Sequence, residues 1–437
     1  MSVRDLRGAR ICFVADGRSP IARNWIRHFV ERGYDAHLVS TFSCDVSDLG
    51  LASVNVVPVA FAGRAGGAGQ AAGDAPTRPG TARRIAAGAR TALLPAVLGW
   101  VAPFELSRHV GRLRAIVDRV DPDLVHAMRV PYEGILAACA VEGTARSLVT
   151  SIWGNDLELW ATRYPLLGRL TRRTLARTTA LHPDCERDLR LAREWGWDDA
   201  RPAVVIPTNG GVRTDVFRPG PPDADVLARY ALPASAPVVL NARGVRPYVR
   251  NDTFFRAIPI VLERRPDVIF AGVAMRGHPT ALRWVRELGI DASVRLLPSV
   301  RPAEMAALFR GAAVAVSPTV HDGTPNTLLE AMACGAFPVA GDIASVREWV
   351  EDGRNGLLVD PKNPRALAAA VLRALEDAPL RASAAAANRT LIETRADYAG
   401  GMRRAEALYS DALVAARRAA HVAGGRAPAL APAVAAH

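Results

Sequence analysis

Nine residues, Asp322 to Glu330 in the stretch DGTPNTLLE, bring two carboxylates and a helix start together. Pro325 suits the first helical position, where the missing N–H costs nothing, and Thr324 before it is a capping residue type. The amides of Asn326 and Thr327 would then open toward whatever precedes the helix. A helix N-terminus with open N–H groups and a positive dipole end suits a phosphate. Glu330 falls on the second turn, on the side of the loop. Asp322, with Gly323 after it and His321 before it, lies just ahead of the helix. Each carboxylate can accept hydrogen bonds from hydroxyls, and phosphate flanked by hydroxyl acceptors is what a sugar nucleotide needs. The plainer reading is a capped helix with two solvated carboxylates.

A second anion-binding element is the arginine-rich stretch NARGVRPYVRND, residues 241–252, at the end of a strand-like run. Arg243, Arg246 and Arg250 are its candidates, and a guanidinium grips phosphate through a bidentate fork. In the first half, the turn Asp16-Gly17-Arg18-Ser19 lacks the G-x-G-x-x-G spacing, so a dinucleotide fingerprint is absent. Gly17 still permits a tight turn there, and Asp16 and Arg18 are candidate cleft residues, although a turn capped by Ser19 explains them as well. The run SIWGND offers Asp156, able to orient a sugar hydroxyl, and Trp153, able to stack on a sugar or to fill core. His126 ends a strand-like run but reads more simply as a core histidine. His321 adjoins the acidic loop and is placed to meet phosphate, and Glu348 reads equally as a site acid or a surface residue. No spacing of histidines and acids matches a metal site.

These residues need a scaffold. Short apolar runs alternate with helical patterns throughout: Arg10–Ala15, Ala36–Ser40, Leu124–Ala127, Ser147–Ile152 and Val204–Pro207 read as strands, with a helix at Pro20–Arg32. The second half repeats the grammar at Val238–Ala242, Val268–Ala271, Val294–Leu297 and Ala313–Val316. Such alternation predicts parallel sheets covered by helices, an α/β class with two Rossmann-like units in tandem. The length of 437 residues fits two domains. The Gly/Pro-punctuated stretch TNGGVRTDVFRPGPP from Thr208 marks the boundary. Domains are expected at 1–207 and 208–395, then a helix over 396–418 and a disordered tail over 419–437.

The net charge of +12 points to an anionic partner, though arginine-rich composition discounts it. The five scattered cysteines include no C-x-x-C pair, so neither a zinc site nor a disulfide framework is suggested. No signal-peptide pattern opens the chain and no apolar run reaches the roughly 18 residues of a membrane span, so a cytoplasmic protein is expected. Residues 62–100 form an insertion, low in complexity over 62–80. No acid stands between Asp74 and Glu105. There, Arg83, Arg84 and Arg90 lead into Leu93, Leu94 and Trp100, which suits either the surface of an anionic inner membrane face or an ordinary packed helix. The acid-free run Trp160–Pro183 is a second basic face.

Taken together, the motifs resemble retaining glycosyltransferases of family 4, which have the GT-B fold. DGTPNTLLE resembles that family's E-x7-E signature, here D-x7-E, and PTNGGVRTDVFRPG its interdomain strip P-N-G-V-D-x-x-x-F-x-P, with Arg213 where the family has Asp. The loop 241–252 stands where the family writes G-R-L-x-x-x-K-G, with Arg243 matching the Arg, Arg250 the Lys and Asn251 the Gly. Trp153 occupies a place where many members have a His near the reacting sugar. The resemblance implies two Rossmann-like domains facing across a cleft, and a last helix crossing back to the first domain. It implies transfer of a sugar from a nucleotide-diphosphate donor to a hydroxyl of a carbohydrate, lipid-linked or small-molecule acceptor, with retained configuration, no cofactor, no metal and no nucleic-acid partner. The implied roles are Arg243 and Arg250 on the diphosphate, with the amides of Asn326 and Thr327. Asp322, one methylene shorter than the family Glu, would hold donor-sugar hydroxyls, and Glu330 the ribose. The alternatives are another GT-B enzyme such as a sugar-nucleotide epimerase, or a non-catalytic protein that binds anions or nucleic acid.

Overall fold

The computed structural model describes residues 8–59, 104–233 and 235–424. The insertion read at 62–100 and the end of the chain beyond 424 lie outside the described residues.

Two six-stranded parallel sheets carry the chain. The first holds β1 (Arg10–Ala15), β2 (Asp35–Ser40), β3 (Ser53–Val56), β4 (Leu124–Ala127), β5 (Ser147–Ile152) and β6 (Ala180–Pro183), in the order β3-β2-β1-β4-β5-β6. The second holds β7 (Val238–Asn241), β8 (Ile269–Gly272), β9 (Val294–Leu296), β10 (Val314–Ser317), β11 (Phe337–Gly341) and β12 (Leu357–Val359), in the order β12-β11-β10-β7-β8-β9. Both are doubly wound in the same way. The central strands read as continuous apolar runs because helices bury both of their faces. In each sheet the winding direction reverses between the first and fourth strands, and ligands of such sheets bind beyond the carboxyl ends at that switch point. In the second domain the switch lies between β7 and β10.

The stretch expected as a strand at Val204–Pro207 is not one. It hydrogen-bonds along β6 through Val204 N–H to Leu181 O and Ile206 N–H to Pro183 O, then turns into a short 3-10 segment at Pro207–Asn209. Pro202 and Pro207 lack the N–H groups a longer ladder would use.

The chain crosses between domains twice. Val212 N–H donates to Ala396 O at 2.6 Å and Tyr398 N–H to Val212 O at 2.9 Å, so the two crossing segments lie side by side. The helix Tyr398–Gly424 then packs on the first domain, where Met402, Leu408, Tyr409 and Ala412 join Trp25, Phe29 and Leu38 in one core cluster. It continues through Gly424, into the stretch expected as a disordered tail.

A buried hydrogen-bond chain runs through this contact. Trp25 Nε1 meets Tyr409 Oη at 2.9 Å, which meets His126 Nδ1 at 2.6 Å. His126 Nε2 meets Ser151 Oγ at 2.8 Å, Ser151 Oγ meets His182 Nδ1 at 2.8 Å, and His182 Nε2 ends on Ile206 O at 3.3 Å. A carbonyl only accepts, so His182 carries its proton on Nε2 and accepts from Ser151 at Nδ1. Ser151 then accepts from His126 Nε2–H, and His126 Nδ1 accepts from the Tyr409 hydroxyl. Tyr409 in turn accepts from the indole N–H, which is only a donor. Each proton has one place, and both imidazoles are neutral. Burial holds His126 well below the usual histidine range and brings His182 down to about 4.

Tyr409→Phe leaves His126 Nδ1 and the Trp25 N–H buried without their partner, and is expected to cost about 1–3 kcal/mol per stranded group, read as a lowered urea midpoint. Because the folded-state pKa of His182 is depressed, its contribution to stability is present above about 6.5 and lost as pH falls toward 4.

Candidate functional site

The loops at the switch point of the second domain bring the acidic and basic candidates together. After β7 the loop is shaped by two buried amides: Asn241 Nδ2 donates to Asn251 Oδ1 at 3.0 Å, and Asn251 Nδ2 to Gly244 O at 2.8 Å. Asn241 Oδ1 also accepts from Arg243 N–H at 3.0 Å, which fixes where the Arg243 side chain leaves the backbone. From the loop after β10, Asp322 Oδ2 stands 2.7 Å from Arg243 Nη2, with the two side chains only 15% and 10% exposed. Yet neither Asp322 Oδ2 nor Arg243 Nε makes an aligned hydrogen bond. The pair is close in charge but unspent in directional bonding. Burial raises the Asp322 carboxyl, opposed by Arg243, Arg246 and Arg187.

Arg246, half-buried and bonded to the Tyr248 hydroxyl, therefore acts on Asp322 together with Arg243. Arg250, matched to the family Lys, does not stand free for a diphosphate. Its fork grips Asp252, two residues on, at 2.8 and 2.6 Å.

The helix starts at Asn326 and runs to Cys334. Its first ladder bonds are those of Leu328 and Leu329 to Pro325 O, which leaves the Asn326 and Thr327 amides outside the ladder, as an anion site needs. Thr324 does not cap the helix. Its N–H donates to Asp184 Oδ2 at 2.8 Å and its hydroxyl to Asp184 O at 2.5 Å, so the first domain takes both of its donors. Glu330 is half-buried, and burial pushes its carboxyl up to about 8, with Arg243 pulling the other way. His321 faces Glu158 of the first domain, 3.3 Å from Nδ1, rather than the helix start.

On the first-domain side, several candidates prove structural. Gly17 is buried, its N–H on Ser40 Oγ, and a Cβ there would strike Cys44 Sγ. Its bareness serves packing on β2, not a ligand. Asp16 and Arg18 pair with each other at 3.0 Å, with Arg18 over the Phe42 ring. Asp156 is fully buried and accepts from Arg129, Val130 N–H and Trp153 N–H, which leaves it no approach to a sugar hydroxyl. It holds the loops after β4 and β5 together. Trp153 packs at the edge of the first domain's core, beside Arg129.

Contacts the sequence reading passed over join the two halves. Asp184, at the carboxyl end of β6, holds Thr324 as described. Glu348 Oε2 and Oε1 accept from the backbone N–H groups of Glu186 and Arg187 at 3.0 and 2.8 Å, capping a first-domain helix from the second domain. Arg187 donates to Gly154 O at 2.5 Å and to Glu158 at 3.0 Å. Only the position of Asp184 just after an apolar run could have signalled it. Among the described residues, no group of three or more His, Cys, Asp or Glu side chains is placed to hold a metal ion, and no helix is long and apolar enough to cross a membrane.

Two matched Rossmann-like sheets and a last helix that returns to the first domain make this a GT-B fold. Residues 236–377 match the family described as "Glycosyl transferases group 1", in agreement with the resemblance read from the motifs. Among curated relatives, the D-inositol 3-phosphate glycosyltransferase of Kineococcus radiotolerans is 34% identical over 297 residues, covering 64% of this chain and 63% of its own. The enzyme of that name from Streptomyces scabiei is 31% identical over 294 residues, covering 64% and 61%. The chain thus spans less than two thirds of the length of these relatives. In structure, Anabaena HepE in complex with UDP superposes with a TM-score of 0.67 at 18% identity, over 92% of this chain and 100% of that one. Sucrose-phosphate synthase from Thermosynechococcus elongatus does so with a TM-score of 0.69 at 16% identity, over 93% and 100%.

Glu330→Gln separates stability from binding. The raised folded-state pKa means that the native carboxyl contributes stability below the unfolded value of about 4.3, which is lost as pH rises toward 8. The amide cannot ionise, so the variant is expected to be more stable than the parent at pH 8 by thermal melting, the difference vanishing near pH 4.

Proposed function

We propose that the protein is a retaining glycosyltransferase moving a sugar from a nucleotide-diphosphate sugar to an acceptor hydroxyl. The observation that carries this is the Arg243–Asp322 pair, buried at 2.7 Å with unspent hydrogen-bonding capacity on both sides, beside the open Asn326 and Thr327 amides. Leaving buried polar groups unsatisfied costs about 1–3 kcal/mol each, so such a pair makes physical sense where a ligand completes it. Arg243, Arg246 and the two amides would take the developing charge of the diphosphate, Glu330 the ribose hydroxyls, and Asp322 a donor-sugar hydroxyl. These cations and dipoles supply neutralisation without a divalent ion. No side chain is assigned as a nucleophile; the departing diphosphate would itself take the acceptor proton. The relatives' names make a phosphorylated polyol the first acceptor to test.

The exposed Arg169 and Arg172 of the helix Pro165–Arg177, together with the basic insertion outside the described residues, support a peripheral site on an anionic membrane face, whereas Arg173 is paired with Glu142. Arg177 is not part of it, since its guanidinium is spent on the carbonyls of Val141, Thr144 and Arg146.

Thermal stabilisation by UDP-, GDP- and ADP-sugars, with and without EDTA, is the first test. One donor is expected to stabilise the protein and EDTA to leave the shift unchanged. Glu330→Gln is expected to weaken that donor roughly 10- to 100-fold above pH 8, where the parent carboxyl is ionised and the lost hydrogen bond is charge-assisted, and by less at lower pH. No shift with any donor would sink the proposal. Turnover of donor with no acceptor, yielding an isomeric sugar nucleotide, would favour an epimerase.

A further inference from the structure

Arg129 follows β4, at the switch point of the first sheet, and is seated by Asp156 from the loop after β5. Nε and Nη2 both donate to Asp156 Oδ1, at 3.1 and 2.9 Å, while Asp156 Oδ2 accepts the Val130 and Trp153 N–H groups. The carboxylate is fully buried, so its bonds set the plane of the guanidinium. The remaining nitrogen, Nη1, is bonded to no described residue, and the side chain stays 29% exposed beside the Trp153 ring. One edge of the guanidinium is anchored and the other is open.

The turn that follows Arg129 is strained. Gly134 N–H closes it on Arg129 O at 2.7 Å, and inside it Tyr132 sits at φ 63° and ψ −74°. A positive φ is costly for a bulky side chain, and such outliers gather at ligand sites. Gly134 must be bare, because a Cβ there would strike Arg129 O. The turn also buries Glu133. One of its oxygens accepts from the Thr41 hydroxyl at 2.8 Å and the other has no partner. Arg129 and Tyr132 face it from its own turn, Thr41 from the loop after β2 and Asp16 from the loop after β1. Burial raises the Glu133 carboxyl to about 7. Below that pH it is neutral and leaves the open edge of Arg129 without a counter-charge.

This seat adjoins the donor loop. Trp153 N–H shares Asp156 with Arg129, and the next residue, Gly154, lies against Gly323, where a Cβ on Gly154 would overlap the Gly323 amide nitrogen and Cα. Gly323 directly follows Asp322. We infer that Arg129 determines acceptor specificity: its open Nη1 edge takes an oxyanion of the acceptor, a phosphate or a carboxylate, with Asp156 as the group that positions it. The inference rests on the sugar-transfer reading of the site and adds the chemical class of the acceptor. A guanidinium already fixed on one edge loses little freedom on binding, and charge-assisted N–H···O bonds are the strong ones. An ionised Glu133 competes with the acceptor for Arg129, so the anion binds best while Glu133 is neutral.

Calorimetry with matched ligands tests it: inositol 3-phosphate against myo-inositol, and glucuronate against glucose. At least one anion is expected to bind the parent ~10-fold or more tightly than its uncharged counterpart at about pH 6.5. Arg129→Met combined with Asp156→Asn removes the buried pair together and strands no charge. It is expected to abolish that preference, with the uncharged ligand and the donor held within about two-fold of the parent. A merely structural lesion would weaken anionic and uncharged ligands alike. The parent's affinity for glucuronate, whose own carboxylate does not titrate there, is expected to fall by up to ~10-fold per pH unit above about 7, and Glu133→Gln, which keeps an oxygen for Thr41, to flatten that fall. Equal affinity for the anionic and uncharged members of both pairs, or a preference that survives in the double variant, would overturn the inference. Where the double variant does not fold, an unchanged pH profile in Glu133→Gln overturns it instead. These measurements need no turnover, so they decide the inference even where the sugar-transfer reading fails; transfer to a free polyol as fast as to its phosphate and to a hexose as fast as to its uronate sinks the inference alone.

Discussion

The architecture depends on holding the carboxyl ends of two sheets against each other, and the buried chain from Trp25 through Tyr409, His126, Ser151 and His182 to Ile206 O is the interaction that does so from behind. It fastens the returning helix to β4, β5 and the segment after β6 at once. In an apolar core a hydrogen-bond chain with one consistent proton direction specifies a single register. Shifting the helix by a residue would strand several polar groups where water cannot reach them. Because that helix is continuous with the second crossing at 396–398, its seat on the first domain fixes how the second domain is presented.

From the front, the two domains meet through bare backbone and a few carboxylates. The same low-dielectric surroundings act on both sides of the cleft. Asp322 and Glu330 are pushed toward their neutral forms by burial and pulled back by Arg243. On the first-domain side, Asp156 is satisfied by Arg129 and two amides. Glu133 is buried with its carboxyl raised to about 7 and bonded on one oxygen to the Thr41 hydroxyl. Acids that look alike in the sequence are thus divided by their surroundings into anchors such as Asp156, whose bonds are spent, and groups such as Asp322, whose Oδ2 makes no aligned hydrogen bond.

Much of this was legible in the chain. Continuous apolar runs located β1, β4 and β5 to the residue and the core of the second sheet nearly so, because strands buried on both faces have no alternation to confuse the pattern. β3, β6, β11 and β12 escaped notice. β3 is short and polar at alternate positions, and β6 ends in His-Pro, a poor strand signature taken alone. The helix start was read at Pro325, one residue ahead of its place at Asn326, and the open amides of Asn326 and Thr327 followed from it; Arg243 was read in the loop after a strand, where β7 ends at Asn241. Thr324 as a cap, Arg250 as a clamp and Asp156 as a sugar ligand did not survive, each for the same reason: a partner distant in sequence or overlooked nearby had already taken its hydrogen bonds.

The sequence by itself determined the periodicities, the turn and helix-start chemistry, and so the α/β class, the tandem of two domains and the loop that would face an anion. These are short-range properties, set by side chains within a few residues of one another. The tertiary structure alone decided that Asp184 holds Thr324, that Glu348 caps a helix of the opposite domain, that Arg246 rather than Arg250 stands with Arg243, and that Gly154 and Gly323 are bare because they touch. Each of these depends on segments 76 (Arg246 and Asp322) to 169 (Gly154 and Gly323) positions apart meeting at the ends of two sheets, rather than on any local window, and no local pattern encodes which of many similar acids, arginines and glycines the fold brings together.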